Sequence, residues 1–138
     1  MRPLASRLIA APALFAVLVL MLVACGGGAA KTDIAGVKAN DHGTKDVSGM
    51  TVLSLEMDNY YFNPSVLKGT PGQKLTLQLK NETSNDHNFT QQAQGINKDV
   101  TAGKTTETVQ VTFPASGVIS FFCEYHKNKG MAGGLQAS

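Results

Sequence analysis

Residues 50–138 predict a small all-β domain, an antiparallel β-sandwich. Three observations carry that expectation. Apolar residues alternate with polar ones in several short segments. Clusters of Gly, Pro, Asn and Asp separate those segments at fairly regular intervals. No stretch of this region repeats its apolar residues at helical spacing, and short strands in so small a length favour a sandwich.

The N-terminal part is different in kind. Arg2 and Arg7 precede a largely apolar run, "LIAAPALFAVLVLMLVA", that ends at Cys25. A basic start, a short apolar core and small residues before a cleavage point describe an export signal over residues 1–24. A retained membrane helix fits less well, because spanning needs about 20 apolar residues and Pro12 interrupts this run. The ending "LVAC", Leu22–Cys25, resembles a bacterial lipobox, in which cleavage precedes the cysteine and its sulfur receives a diacylglyceryl group. Two or more acyl chains would anchor the protein stably to a membrane. Residues 25–49 are rich in Gly, Ala, Lys and Asp with no sustained apolar period, and are expected to be a flexible, lipid-anchored linker. Such a tether has a typical reach of about 27 Å. His42 falls within it and is expected to be a solvated histidine.

Past the signal the chain carries ten lysines, no arginine and ten acidic residues. It is nearly neutral and has no basic footprint for nucleic acid. If Cys25 is lipidated, Cys123 is left without a disulfide partner in an exported protein, which raises the odds of a metal ligand.

The domain elements follow in order. Val52–Met57 opens an apolar segment. "QKLTLQLK" sets Leu75, Leu77 and Leu79 on one face, and "TVQVTF" does the same with Val109, Val111 and Phe113. "VISFFC" is more continuously apolar, as expected of a central strand, and places Cys123 on the face of Phe121 and Ile119. Turns are expected at Gly69–Gly72, Asn81–Asp86, Thr101–Gly103 and Pro114–Gly117.

Cys123, His126 and Met131 then fall within nine positions, in the connection to a last short strand. A soft thiolate, an imidazole and a weak thioether suit copper, most of all when a second histidine completes the set. His87, in "NDHNFT", is the remaining histidine of the domain and begins a segment with Phe89.

These stretches resemble the cupredoxins, of the plastocyanin and pseudoazurin type. The resemblance spans most of Met50–Leu135, through "YFNPSVLKGTPGQKLTLQLKN", "DHNFT" and "GVISFFCEYHKNKGMAGGL", the last fitting C-x2-H-x4-M. It implies a Greek-key sandwich and one mononuclear type 1 copper ion. It further implies His87, Cys123 and His126 as equatorial ligands, Met131 as the axial one, and Asn88 as the residue tying the two ligand-bearing segments together. Many relatives have a small hydroxyl residue and a proline where this chain has Glu124 and Tyr125. Tyr125 thereby restores an N–H that can reach the Cys123 sulfur and tune its potential.

The expected function is a membrane-anchored, periplasmic or exterior electron carrier rather than an enzyme, working as a monomer through brief docking of redox proteins near His126. A patch formed by Met131, Ala132, Gly133 and Gly134 is expected to receive them, with Lys127 and Lys129 steering acidic surfaces. Copper storage, delivery or resistance in the envelope is the alternative. A dinuclear copper centre is disfavoured, since position 127 is Lys rather than Cys.

Overall fold

The computed structural model describes residues 30–138. The signal peptide and Cys25 lie outside the described residues. Two β-sheets pack face to face. One has the strand order β10-β7-β4-β5, built from β4 (Val52–Asp58), β5 (Tyr61–Asn63), β7 (Lys74–Asn81) and β10 (Thr105–Thr112). The other runs β3-β6-β12-β11-β8-β9. Its strands are β3 (Thr44–Asp46), β6 (Val66–Gly69), β8 (His87–Gln91), β9 (Ile96–Val100), β11 (Val118–Phe122) and β12 (Ala132–Ala137).

The alternation read from the sequence sets the core. Leu53, Leu55 and Met57 of β4 and Leu75, Leu77 and Leu79 of β7 all point inward and are buried. From the other sheet come Leu67, Phe89, Phe121 and Leu135. Phe62 packs edge-on to Phe89 and Phe121 at ring-centroid distances of 6.0 and 5.1 Å. Burying each such side chain contributes about 1.5–3 kcal/mol. Cys123 and Met131 sit in this same core at one end of the sandwich.

The sheets are mixed rather than purely antiparallel. β4 runs parallel to β7, and β6 runs parallel to both β12 and β3. Each parallel pair joins strands whose connection crosses between layers, a return path that a local hairpin cannot make.

The expected linker is also corrected. From Thr32 the chain is folded: β1 (Thr32–Ile34) and β2 (Val37–Ala39) form an antiparallel hairpin, and β3 adds an edge strand. The hairpin covers the outer face of the six-stranded sheet, where Ile34 and Ala39 bury against Phe122 and Ala132. Val47 enters the main core. Few apolar residues are needed, because the sheet supplies most of the surface being covered. Gly134 admits this packing, and Gly133 admits the close approach of Ser65 and Phe121 on the other face. A Cβ at Gly133 would lie 2.3 Å from Ser65 O, and one at Gly134 would lie 2.6 Å from Ile34 Cγ2.

His42 is consequently not a linker histidine. It is exposed, and its ring stacks on Tyr61 at 3.5 Å. Ile34→Ala is expected to lower the unfolding free energy by about 2 kcal/mol in denaturant titration. A free linker would leave it unchanged.

Candidate metal centre

The end of the sandwich where β11 stops gathers the titratable side chains expected to bind metal. His87 begins β8 and is fully buried, while Cys123 follows β11 directly and is equally buried. His126 lies in the loop beyond, just before a 3-10 turn at Lys127–Lys129, and is partly exposed. The Nδ1 atoms of His87 and His126 are 3.2 Å apart, and Cys123 Sγ is 3.6 Å from His126 Nδ1. One donor atom from each of the three residues lies within 4.8 Å of the others.

Backbone bonds fix the loop. The Cys123 N–H donates to Met131 O at 3.0 Å, and the Met131 N–H to His126 O at 3.2 Å. Met131 itself is fully buried, one residue before β12. Asn40 closes the loop from outside: its Nδ2 donates to Tyr60 O and Lys129 O, and its backbone N–H to Gly130 O at 2.8 Å.

A polar chain favours one tautomer of His87. Asn81 Nδ2 faces three carbonyls, of Asn85, Val100 and Thr101. Its Oδ1 accepts the Thr83 N–H at 3.0 Å, and the Thr83 hydroxyl can give its proton to this Oδ1 at 2.8 Å or to Asn85 O at 3.1 Å. Thr83 Oγ1, having given its one proton, can only accept from His87 Nε2, 3.1 Å away. With its proton on Nε2, His87 presents a bare Nδ1 lone pair to the site. That lone pair faces His126 Nδ1 3.2 Å away, and a cation between the two nitrogens would be held by both lone pairs once the single ring proton of His126 sits on its Nε2. Bonds of about 2.0 Å at trigonal angles bring two nitrogens to roughly that separation. Two imidazoles and a thiol, with no carboxylate among them, form a donor set that fits one copper ion.

Protonation follows from burial. His87 is pushed down to about 4, by desolvation first and by the proximity of His126 second. His126 is also lowered, by burial and then by the charge of Lys129. Both imidazoles are thus neutral near pH 7, as ligation requires. Burial pushes the Cys123 thiol up, opposed by backbone N–H groups of Asn88, His126 and Tyr125. The Asn88 N–H donates to Cys123 Sγ at 3.3 Å.

The tie between the two ligand-bearing segments takes an indirect route. Asn88 Nδ2 donates to Asn97 Oδ1 at 2.7 Å and to Asp99 Oδ1 at 2.9 Å, while Thr90 Oγ1 donates to Asn88 Oδ1. Asp99 Oδ1 also accepts the Tyr125 hydroxyl at 2.6 Å, and Asn97 Nδ2 donates to Glu124 Oε2 at 3.1 Å. Tyr125 and Glu124 are therefore linked to Asn88 through strand β9. The bond to Asp99 holds the Tyr125 phenol up at about 12 and, first among its causes, holds the Asp99 carboxyl low. Asn97, Asp99, Thr83 and Asn81 were not among the expected site residues. The register that sets Asn88 opposite Asp99 would have pointed to two of them, had "INKDV" been read as a strand.

The expected docking patch at Met131–Gly134 is overturned. All four residues are buried: Met131 and Gly133 face the main core, while the β1–β2 hairpin covers Ala132 and Gly134. What is exposed around His126 is Tyr125, Lys127, Asn128 and Lys129. Lys127 Nζ sits 4.1 Å from the Phe122 ring centroid and Lys129 Nζ the same distance from that of Tyr60, whose ring lies 4.5 Å from His126.

The depressed His87 pKa has a thermodynamic consequence. Between pH 6.5 and about 4, the unfolded chain binds a proton at this position that the folded metal-free chain does not, so stability falls as pH falls. The melting temperature of the metal-free protein is expected to decline across that window, and His87→Gln to flatten the decline.

The comparisons with known proteins agree with this geometry. The family model of the cupredoxin-like domain matches residues 13–134. Among solved structures, the metal-binding domain of the Streptococcus pneumoniae Cu(I)-exporting P-type ATPase, with Cu(I), superposes with a TM-score of 0.56. It is 12% identical, and the match covers 68% of this chain and 96% of that one. Dithionite-reduced auracyanin from the photosynthetic bacterium Roseiflexus castenholzii gives a TM-score of 0.51 at 19% identity, covering 64% and 97%. Auracyanin A, a "blue" copper protein from Chloroflexus aurantiacus, gives 0.50 at 18% identity, covering 64% and 98%. No curated protein matches the chain. The chain, with its sandwich fold and its His-Cys-His cluster at one end, belongs to the cupredoxin-like family.

Proposed function

We propose that this protein is a one-electron carrier, with a single type 1 copper ion held by His87, Cys123, His126 and Met131. The observation that carries the reading is a buried thiol converging with two neutral imidazoles at one end of the sandwich. Bound copper supplies a Cu(II)/Cu(I) couple. The residues around it do the rest. The Asn88 N–H donates to the sulfur, and the nearby backbone N–H groups of His126 and Tyr125 also favour it as a thiolate. Thr83 holds the His87 ring, and the Asn40 and Asp99 contacts restrain the loop. A site so braced changes little between oxidation states, which is what a carrier needs. His126 is the more exposed imidazole, and electrons pass most directly through it.

On this reading the export signal and the Cys25 lipid place the domain at the outer face of a bacterial membrane, where it meets its redox partners as a monomer. No helix among the described residues is long and apolar enough to cross a membrane. The second reading, copper storage or delivery, uses the same ligands but requires ready exchange of the metal.

Addition of Cu(II) to the full-length protein is expected to give an intense blue thiolate-to-copper band, abolished by Cys123→Ser and bleached reversibly by a mild reductant. Rapid loss of copper to a chelator would favour delivery instead, and absence of a band would refute the site. Because the thiol is protonated and both imidazoles are neutral beforehand, copper uptake near pH 7 is expected to release about one proton. Calorimetry in buffers of different ionisation enthalpy reads this directly. Tyr125→Pro, which removes both an N–H near sulfur and the bond to Asp99, is expected to shift the reduction potential more than Tyr125→Phe, which removes only the latter. Equal shifts would show that the N–H contributes nothing.

A further inference from the structure

The chain enters the folded domain at the copper end. Thr32 pairs with Ala39 in the β1–β2 hairpin, which sets Lys31 beside Asn40 and against the ligand loop. Lys31 Nζ donates to Asn128 O at 3.3 Å, and a Cβ at Gly130 would meet Lys31 Cε at 3.0 Å. The opposite end of the sandwich is closed by Gly69–Gln73, Phe113–Gly117 and Ser138. There the Gly72 N–H donates to Phe113 O at 3.2 Å and the Ser138 N–H to Gly69 O at 2.8 Å.

Five residues, 26–30, separate Cys25 from Lys31. Whatever their conformation, a covalent chain of that length reaches about 20 Å at most. A lipid on Cys25 therefore holds the ligand loop close to the bilayer, and the opposite end farther away.

The charge on this face agrees. Lys31, Lys127 and Lys129 are exposed, and none has a carboxylate within ion-pair distance among the described residues. Their neighbour Lys38 is paired with Asp33. The copper end also carries carboxylates, Asp58 and Asp86 close enough to act on His87, and Glu124 and Asp99 engaged by Asn97 and Tyr125 toward strand β9. The face beside the chain's entry is the basic one.

We propose that the membrane carrying the Cys25 anchor is also the surface this lysine face rests on, so that the copper end points toward anionic lipid headgroups. The inference rests on the lipid-anchor reading given above. Each lysine close to an anionic bilayer strengthens the contact about five-fold, and the effect fades over a Debye length as salt is raised. A carrier held this way meets partners of its own membrane more readily than distant soluble ones.

The test uses the full-length lipidated protein in vesicles of phosphatidylcholine, with or without phosphatidylglycerol, carrying a headgroup acceptor dye. A donor dye is attached through an encoded azide side chain at position 128 in one preparation and at position 115 in another. Transfer is expected to be stronger from 128 than from 115. The difference is expected to be larger with phosphatidylglycerol, and to fall toward the phosphatidylcholine value in the triple variant Lys31→Gln, Lys127→Gln, Lys129→Gln. Stronger or equal transfer from position 115 overturns the orientation. Closer approach of 128 that ignores both phosphatidylglycerol and the lysines overturns the headgroup contact, and leaves the face to an acidic protein. A Cys25 peptide whose mass lacks acyl chains overturns the anchor and this inference with it. The blue band, read on the same samples, separates these failures from failure of the electron-carrier reading.

Discussion

Cys123 lies where β11 ends, with β8 on one side and β12 on the other, and the placement of its sulfur governs the rest of the site. The Asn88 N–H at 3.3 Å binds that sulfur to the strand that begins with His87. The Cys123 N–H, donating to Met131 O, binds the same residue to the strand that begins after Met131. One buried residue thus couples the three chain segments that carry the proposed ligands. Displacing it would break a hydrogen bond on each side, one to its sulfur and one from its N–H, and expose the core around Phe121. The geometry of the metal centre is in this sense inherited from the packing of the sandwich.

Around that constraint the polar residues divide their work. Asn81 and Thr83 favour the His87 tautomer with its proton on Nε2, from the half-buried loop before β8. Asn40 restrains the ligand loop from the hairpin side, and Asp99 restrains it from the β9 side through Tyr125. The loop is held from both flanks, while His126 between them keeps an exposed edge. Bracing and access, which pull against each other in a redox site, are separated in space.

Much of this was legible in the sequence. The alternation in Leu75–Leu79 and the apolar run before Cys123 gave the sheet faces, since a period of two is a direct imprint of a half-buried strand. The ligand types and the spacing of Cys123, His126 and Met131 pointed to copper before any coordinates. The folded hairpin at Thr32–Ala39 was not legible, because it covers an existing sheet with little more than Ile34 and Ala39 and leaves no periodic signal. Its presence also hides Ala132 and Gly134, and Met131 and Gly133 face the main core, so a docking surface inferred from small apolar residues proved to be interior. The Asn88–Asp99–Tyr125 link depends on strand register, which a single sequence does not display.

The convergence of His87, Cys123 and His126 in a braced fold supports the proposal of a centre that keeps its ligands in both oxidation states. X-ray absorption at the copper edge, recorded on the oxidised and the reduced protein, tests this most directly. Two nitrogen ligands and one short sulfur ligand are expected in both spectra, with nearly the same bond lengths. Loss of a nitrogen ligand or a change in coordination number on reduction would contradict it.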